Sequence, residues 1–264
     1  MKTVVITGST RGIGFALGRE FLKRDCQVVI SGRNTGGVKA SINLLVDEFA
    51  SERVAGFPCD VTDYDQVMEL WERSQERFGS IDFWINNAGI SNNQALPWDI
   101  PADELRSVIE TNMLGELYGT KVAMQGFHAQ GYGALYNVEG LGANGKTNRV
   151  NGLSVYGMTK AGLHYFNKCL AQEINHPKII AGSLQPGMVL TDMVKGQYIE
   201  KPEEWEKVKG ILGIISSPID EVAPWLVEKM LTNQKNGVHF GFGGTLRILK
   251  RMVLALFKKD LKKS

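Results

Sequence analysis

Two side chains four residues apart, Tyr156 and Lys160 in the run Tyr156-Gly157-Met158-Thr159-Lys160, are spaced to do acid–base chemistry. On a helix that step brings the phenol and the ammonium to one face. A neighbouring cation favours the phenolate, so the phenol is expected to titrate below its ordinary value of about 10. A hydroxyl tuned in this way gives or takes a proton near neutral pH. Alone the pair is a weak signal, because a chain with 7 tyrosines and many lysines produces the spacing by accident. Its weight comes from its surroundings: Asn112 inside a long helical stretch, a Pro186-Gly187 turn one strand downstream, and a glycine corner near residue 1. Asparagine competes for backbone hydrogen bonds and is poor in a helix interior. Asn112 is therefore either solvated or has a polar task.

The glycine corner is Gly8, Gly12 and Gly14, between the β-branched run Val4-Val5-Ile6 and an amphipathic stretch over 15–24. A buried strand that turns sharply into a helix presents unpaired N–H groups and a partial positive charge, and glycine lets a pyrophosphate approach the backbone. The spacing is G-x-x-x-G-x-G, and the same corner can exist for packing alone. A second strand over 27–31 ends in Gly32-Arg33-Asn34. An acidic residue is common there when the ribose 2′-hydroxyl of NAD is bound. Arg33 stands there instead, with Arg11 inside the glycine corner. Two guanidiniums suit a 2′-phosphate, so NADP(H) is the expected cofactor. Asp60 closes a third strand over 53–59, where it can accept from an adenine amino group, and Asp63 is the expected cap of a helix over 64–78.

The elements that must position these groups alternate. Further strands are expected over 81–85, 133–138, 178–185 and 237–240, and further helices over 38–49, 101–130, 154–173 and 220–231. A small flap over 197–215 carries apolar residues, and 91–100 and 139–152 read as polar loops. Alternating strands and helices predict one α/β Rossmann domain over 1–244, with a doubly wound parallel sheet of about seven strands. Residues 245–264 form a basic amphipathic C-terminal extension, rich in lysine and arginine around Leu246, Leu249, Met252, Val253, Leu256 and Phe257. Such a helix can rest on an anionic membrane surface or pack on the protein.

At this point the sequence resembles the short-chain dehydrogenase/reductase family, over nearly the whole chain. Thr7–Gly14 (TGSTRGIG) matches its cofactor turn, Asn86-Asn87-Ala88-Gly89 its strand-four motif, and YGMTK its catalytic motif. Asn112 matches its helix asparagine, and Pro186-Gly187 with Thr191 its nicotinamide-side turn. The resemblance implies Tyr156 as general acid/base, Lys160 on the nicotinamide ribose, Asn112 holding a water in the proton relay, and Thr191 on the carboxamide. The cofactor set it implies is Gly8, Ser9, Thr10, Arg11, Gly12, Ile13, Gly14, Arg33, Asp60, Val61, Asn87, Ala88, Gly89, Tyr156, Lys160, Pro186, Gly187, Val189 and Thr191. It also implies a homodimer or homotetramer through the two long helices.

One departure stands out. The family carries a serine on the loop before the tyrosine, and Val138-Glu139-Gly140-Leu141 holds no hydroxyl; Gly140 takes its place. Losing a donor to a developing oxyanion costs a few kcal/mol, on the order of 3. A backbone N–H, Asn144 or the substrate itself would have to replace it; Ser154 is too close to Tyr156 in sequence to do so. Otherwise the chain binds NADP(H) without turnover, as a silent or scaffolding relative. The loop NVEGLGANG and the helix after it look like the chlorophyll(ide) b reductase branch of the family, which uses NADPH to reduce a tetrapyrrole formyl group. The expected substrate is then a bulky apolar aldehyde or ketone, against Gly140, Asn144, Met188, Trp98 and Tyr198.

The remaining composition narrows the setting. A net charge of +2 over 264 residues argues against nucleic-acid binding. Cys26, Cys59 and Cys169, far apart and in apolar stretches, are expected as reduced thiols. No metal is expected. With no leader and no apolar run near the ~20 residues of a membrane span, the expected location is cytoplasmic, with peripheral membrane contact only through 245–263.

Overall fold

The β-branched run at the start of the chain lies at the centre of the molecule. In this computed structural model, which describes residues 1–143, 152–199 and 201–243, Val4, Val5 and Ile6 are fully buried. They form β1 (Thr3–Ile6), paired in parallel with β2 (Gln27–Gly32) on one side and β4 (Phe83–Asn86) on the other. β3 (Val54–Pro58) lies outside β2, and β5 (Gly133–Val138), β6 (Ile179–Gln185) and β7 (Val238–Gly241) extend the other edge. The order is β3-β2-β1-β4-β5-β6-β7, seven parallel strands. The strand order reverses between β1 and β4, the switch point where open α/β sheets bind ligands.

Alternation along the strands separates two cores. Val4 and Ile6 pack with Leu17, Phe21 and Leu22 of α1 (Gly12–Leu22), Leu45 of α2 (Thr35–Val46), and Val222, Leu226 and Val227 of α9 (Ile219–Thr232). Val5 faces the other way, towards Leu70 and Trp71 of α3 (Tyr64–Phe78), Val122 and Phe127 of α5 (Gly115–Gln130), and Leu170 of α6 (Ser154–Glu173). Each fully buried Leu or Phe contributes about 1.5–3 kcal/mol relative to exposure. Asp63 caps α3, its Oδ1 accepting from the N–H groups of Asp65 and Gln66.

The long helix expected over 101–130 is α4 (Ala102–Ile109), a π-turn (Glu110–Leu114) and α5 in unbroken succession. Asn112 sits in the π-turn, a helix irregularity frequent at functional sites. The flap expected over 197–215 holds α8 (Pro202–Ile215), and the short α7 (Asp192–Gly196) precedes it. The expectation that no stretch approaches membrane-span length needs correction: Pro202–Thr232 passes by length and composition, 18 consecutive residues of it averaging a hydropathy of 1.2. Two helices make it up. α9 is a core helix, with Val222, Leu226, Val227 and Met230 fully buried, whereas α8 buries no residue.

Candidate active site

The glycine corner is built by contacts from β4. Gly8 has φ +59°, and a β-carbon there would lie 2.7 Å from the Cα of Ala88. Thr7 Oγ1 accepts from the N–H groups of Asn87 at 3.0 Å and Ala88 at 3.1 Å. The Asn87 amide donates to the carbonyls of Thr7 at 2.9 Å and Gly8 at 3.0 Å. Asn87 therefore holds the corner open. A β-carbon on Gly14 would run into that same Asn87 amide. Gly12, at φ +60°, opens α1; its N-cap, Arg11, makes no side-chain cap bond. This helix start lines a cleft of about 270 Å³ with Val189, Leu190, Thr191, Asp192 and residues 216–219. A glycine cradle at a helix N-terminus with no side-chain cap fits a dinucleotide pyrophosphate.

The expected cofactor residues divide by what else they do. Ser9 is fully buried and committed: its N–H and hydroxyl donate to the Ser31 and Ile6 carbonyls, and Ser31 N–H donates back to Ser9 Oγ. It stitches β1 to β2 and offers no donor to a ligand. Thr10 packs on Gly32, so Arg11 and Arg33, each next in sequence, start from adjacent backbone, and both are exposed. Asp60 Oδ1 accepts from Thr62 N–H at 3.0 Å and Thr62 Oγ1 at 2.8 Å, an Asx turn that occupies one carboxylate oxygen. Val61 packs on Gly115, and Ile13 against the core under α1. Gly187, at φ +74°, turns beneath Phe242, and Pro186 and Val189 are buried behind it. Thr191 approaches Gly12 across the cleft.

On the other side of the switch point stand the residues with acid–base chemistry. Lys160 is buried, and its Nζ donates to the Val138 carbonyl at 3.0 Å, anchoring the ammonium under the end of β5. Asn112 is fully buried, its Oδ1 accepting from Ile90 N–H at 2.8 Å and its amide donating to Ile90 O at 2.8 Å and Thr159 Oγ1 at 3.1 Å. Its side chain thus pins the loop after β4 to α6. A β-carbon on Gly89 would sit 3.3 Å from Asn112 Oδ1 and 3.7 Å from Lys160 Nζ, so the β4 end, the π-turn and α6 converge here. Tyr156 Oη lies against Gly140: a β-carbon at 140 would overlap the phenol oxygen. The phenol tip fills the space a serine side chain would take.

Electrostatics correct one expectation. Burial pushes the Tyr156 phenol up to about 12, against the fall expected from Lys160. The reason is geometric, since the ammonium is turned to Val138 O and desolvation dominates at the hydroxyl. Burial also lowers Lys160, opposed by the carboxylates of Glu116 and Glu139.

The substrate residues separate. Met188 and Tyr198 are half-buried, Tyr198 against Trp205 with ring centroids 5.6 Å apart. Trp98 is 78% exposed, on the short 3₁₀ turn Pro97–Asp99. Asn144 and the extension 245–264 lie outside the described residues.

Several residues with a part in the site escaped the sequence reading. Asn92, fully buried, accepts at Oδ1 from Tyr156 N–H at 3.2 Å and donates to Gly152 O at 2.8 Å, while Gln197 donates to its carbonyl at 3.0 Å. It ties the loop after β4 to α6 and to the flap, which polarity alone did not suggest. Glu116 follows Asn112 by one helical turn, and burial pushes its carboxyl up to about 8. Glu139, next to Gly140, meets His164 and His239. The spacing of Glu116 from Asn112 was readable in the sequence; the Glu139 cluster was not.

Comparison with known proteins agrees with this architecture. The family model for short chain dehydrogenase matches residues 2–202, and the chain belongs to the short-chain dehydrogenase/reductase family. That family is one of oxidoreductases, and the structure of an ElxO variant, which superimposes with a TM-score of 0.77 at 26% identity, holds NADPH. The chain is 36% identical over 230 residues to chlorophyll(ide) b reductase NOL, chloroplastic, of Arabidopsis thaliana, covering 85% of this chain and 64% of that protein. It is 32% identical over 275 residues to the probable chlorophyll(ide) b reductase NYC1, chloroplastic, of Oryza sativa subsp. japonica, covering 98% of this chain and 53% of that protein. The chain thus spans between about half and two-thirds of the length of these relatives. Among solved structures, levodione reductase superimposes with a TM-score of 0.83 at 25% identity, covering 93% of this chain and 97% of that one.

Proposed function

We propose that this chain is an NADPH-dependent reductase that converts the carbonyl of a bulky apolar substrate to an alcohol, with the formyl group of a chlorophyll b-like tetrapyrrole as the substrate class. The observation that carries the reading is the Tyr156 hydroxyl seated against Gly140, with Lys160 and Asn112 behind it. The glycine corner, Thr191 and Lys160 would hold the cofactor, and Arg11 and Arg33 its 2′-phosphate. When bound, a nicotinamide supplies the hydride.

A phenol that burial raises to about 12 is protonated at neutral pH, the form needed to give a proton to a carbonyl oxygen. With no serine hydroxyl beside it, Tyr156 both polarises the carbonyl and protonates it. Lys160, anchored on Val138 O, orients and charges the floor of the site. Asn112 acts through position, its side chain holding Ile90 and Thr159. Exposed apolar residues near the flap, Leu96, Trp98, Ile199 and Ile211, support a large apolar substrate. The names of the chlorophyll(ide) b reductase relatives support the formyl group. Exposed Ile109, Leu117, Met158 and Tyr165 on the two long helices support a homo-oligomer, and the basic stretch 245–263 supports contact with an anionic membrane surface.

A silent NADP(H)-binding protein is the second reading, favoured by Gly140 alone. One screen separates them: NADPH oxidation by the full chain against aromatic aldehydes and formyl-tetrapyrroles. Turnover of the formyl-tetrapyrrole is expected, whereas cofactor binding with no turnover across the panel supports the silent reading.

A further inference from the structure

Behind the reacting face, three side chains from three separate elements meet where β5, β6 and β7 end. Glu139 leaves β5, His164 projects from α6 and His239 from β7. Glu139 Oε1 lies 2.9 Å from His164 Nδ1, and Glu139 Oε2 lies 3.5 Å from His239 Nδ1. Their possible donor atoms all fall within 4.8 Å of one another. Side-chain exposure is 1% for Glu139, 21% for His164 and 41% for His239, so the carboxylate forms a floor and the imidazoles an open rim. They line a cavity of about 70 Å³ with Asn167, Gly182 and Ser183.

A second observation points to a ligand. Asn167 Nδ2 approaches Glu139 Oε1 at 3.4 Å, but Oε2 is buried with no hydrogen-bond partner among the described residues. Leaving a carboxylate oxygen dry and unpaired is costly. His239 Nδ1 does not relieve it, because it is engaged with Ser183 Oγ at 2.9 Å. A cation seated between the rings would satisfy Oε2 and cancel the buried charge. Two imidazoles and one carboxylate are a donor set that suits zinc, with the fourth position left to water.

We propose that Glu139, His164 and His239 form a binding site for one Zn²⁺ ion, distinct from the Tyr156 site and built by the convergence of β5, α6 and β7. The ion would be held by the residue that precedes Gly140, so its charge would offset the Glu139 carboxylate, whose field acts on Lys160.

The test uses the full chain without a histidine tag, stripped of metal and titrated with Zn²⁺ by calorimetry and with Co²⁺ by visible absorption. The chain has 4 histidines, all among the described residues, and the other two, His128 and His176, meet edge to face with centroids 5.8 Å apart, as His164 and His239 do. His128→Ala is therefore the control. The expected result is one Zn²⁺ per chain, tetrahedral Co²⁺ bands, and at least tenfold weaker binding in His239→Ala and in His164→Ala, with His128→Ala unchanged. His239 is on the rim, so its removal should leave the fold intact, checked by an unaltered circular dichroism spectrum. No stoichiometric binding, or binding equally strong in folded His239→Ala, overturns the site.

Discussion

The hydroxyl of Tyr156 stands where a β-carbon on residue 140 would have to go. A glycine at 140 is thus what lets the phenol reach its seat, and the absent serine is a steric condition as much as a lost donor. Gly140→Ser should therefore lower kcat instead of raising it. Overpacking costs about 1–3 kcal/mol, and a barrier change of that size slows turnover by about fivefold to a hundredfold. Steady-state kinetics with cofactor titration checks this, and NADPH affinity should stay within a few-fold. A gain in kcat from the added hydroxyl would mean that position 140 merely lacks a donor.

Arg11 and Arg33 leave adjacent backbone at the ends of the glycine corner and of β2, joined by the packing of Thr10 on Gly32. Replacing Arg33 by aspartate removes a phosphate ligand and adds an acceptor for a free ribose hydroxyl. Arg33→Asp should move the NADPH-to-NADH preference in kcat/KM by about tenfold or more towards NADH, given the strength of charge-assisted pairs. An unchanged ratio would remove Arg33 from the 2′-phosphate site.

Glu116 makes stability depend on pH. Burial raises its carboxyl from an ordinary 4.5 to about 8, with Lys160 opposing. Between those values the folded chain keeps a proton that the unfolded chain has released, so this group's contribution is full below the unfolded value and drains away as pH rises through the folded one. Each unit of difference is worth about 1.4 kcal/mol, and the titration is shared with Lys160. Urea denaturation at about pH 5 and about pH 8 should show the wild type losing stability relative to Glu116→Gln over that interval. Parallel profiles would contradict the assignment.

What the sequence could reveal was local. The glycine corner, the strand ends and the Tyr156–Lys160 step are short-range patterns, and the structure keeps them; α3, α6 and β5 have the expected bounds. Long-range consequences stayed hidden. His164 is 25 residues from Glu139, and only the order β5-β6-β7 brings His239 beside them. The proton affinity of Tyr156 was misread because spacing shows that a lysine is on the same face but not where its ammonium points. The 78% exposure of Trp98 was equally hidden, because aromatic content says nothing about exposure. The sequence left Asn112 either solvated or with a polar task; it is buried and bonded to Ile90 and Thr159, and the π-turn that holds it has no sequence signature of its own.

The central claim is that the Tyr156 hydroxyl is the acid that protonates the substrate carbonyl. Tyr156→Phe removes that oxygen and leaves the ring, so the measurement is carbonyl-dependent NADPH oxidation by this variant beside its NADPH affinity. Turnover reduced at least about a thousandfold, with cofactor affinity within a few-fold of wild type, is the predicted result. Activity within a few-fold of wild type would contradict it.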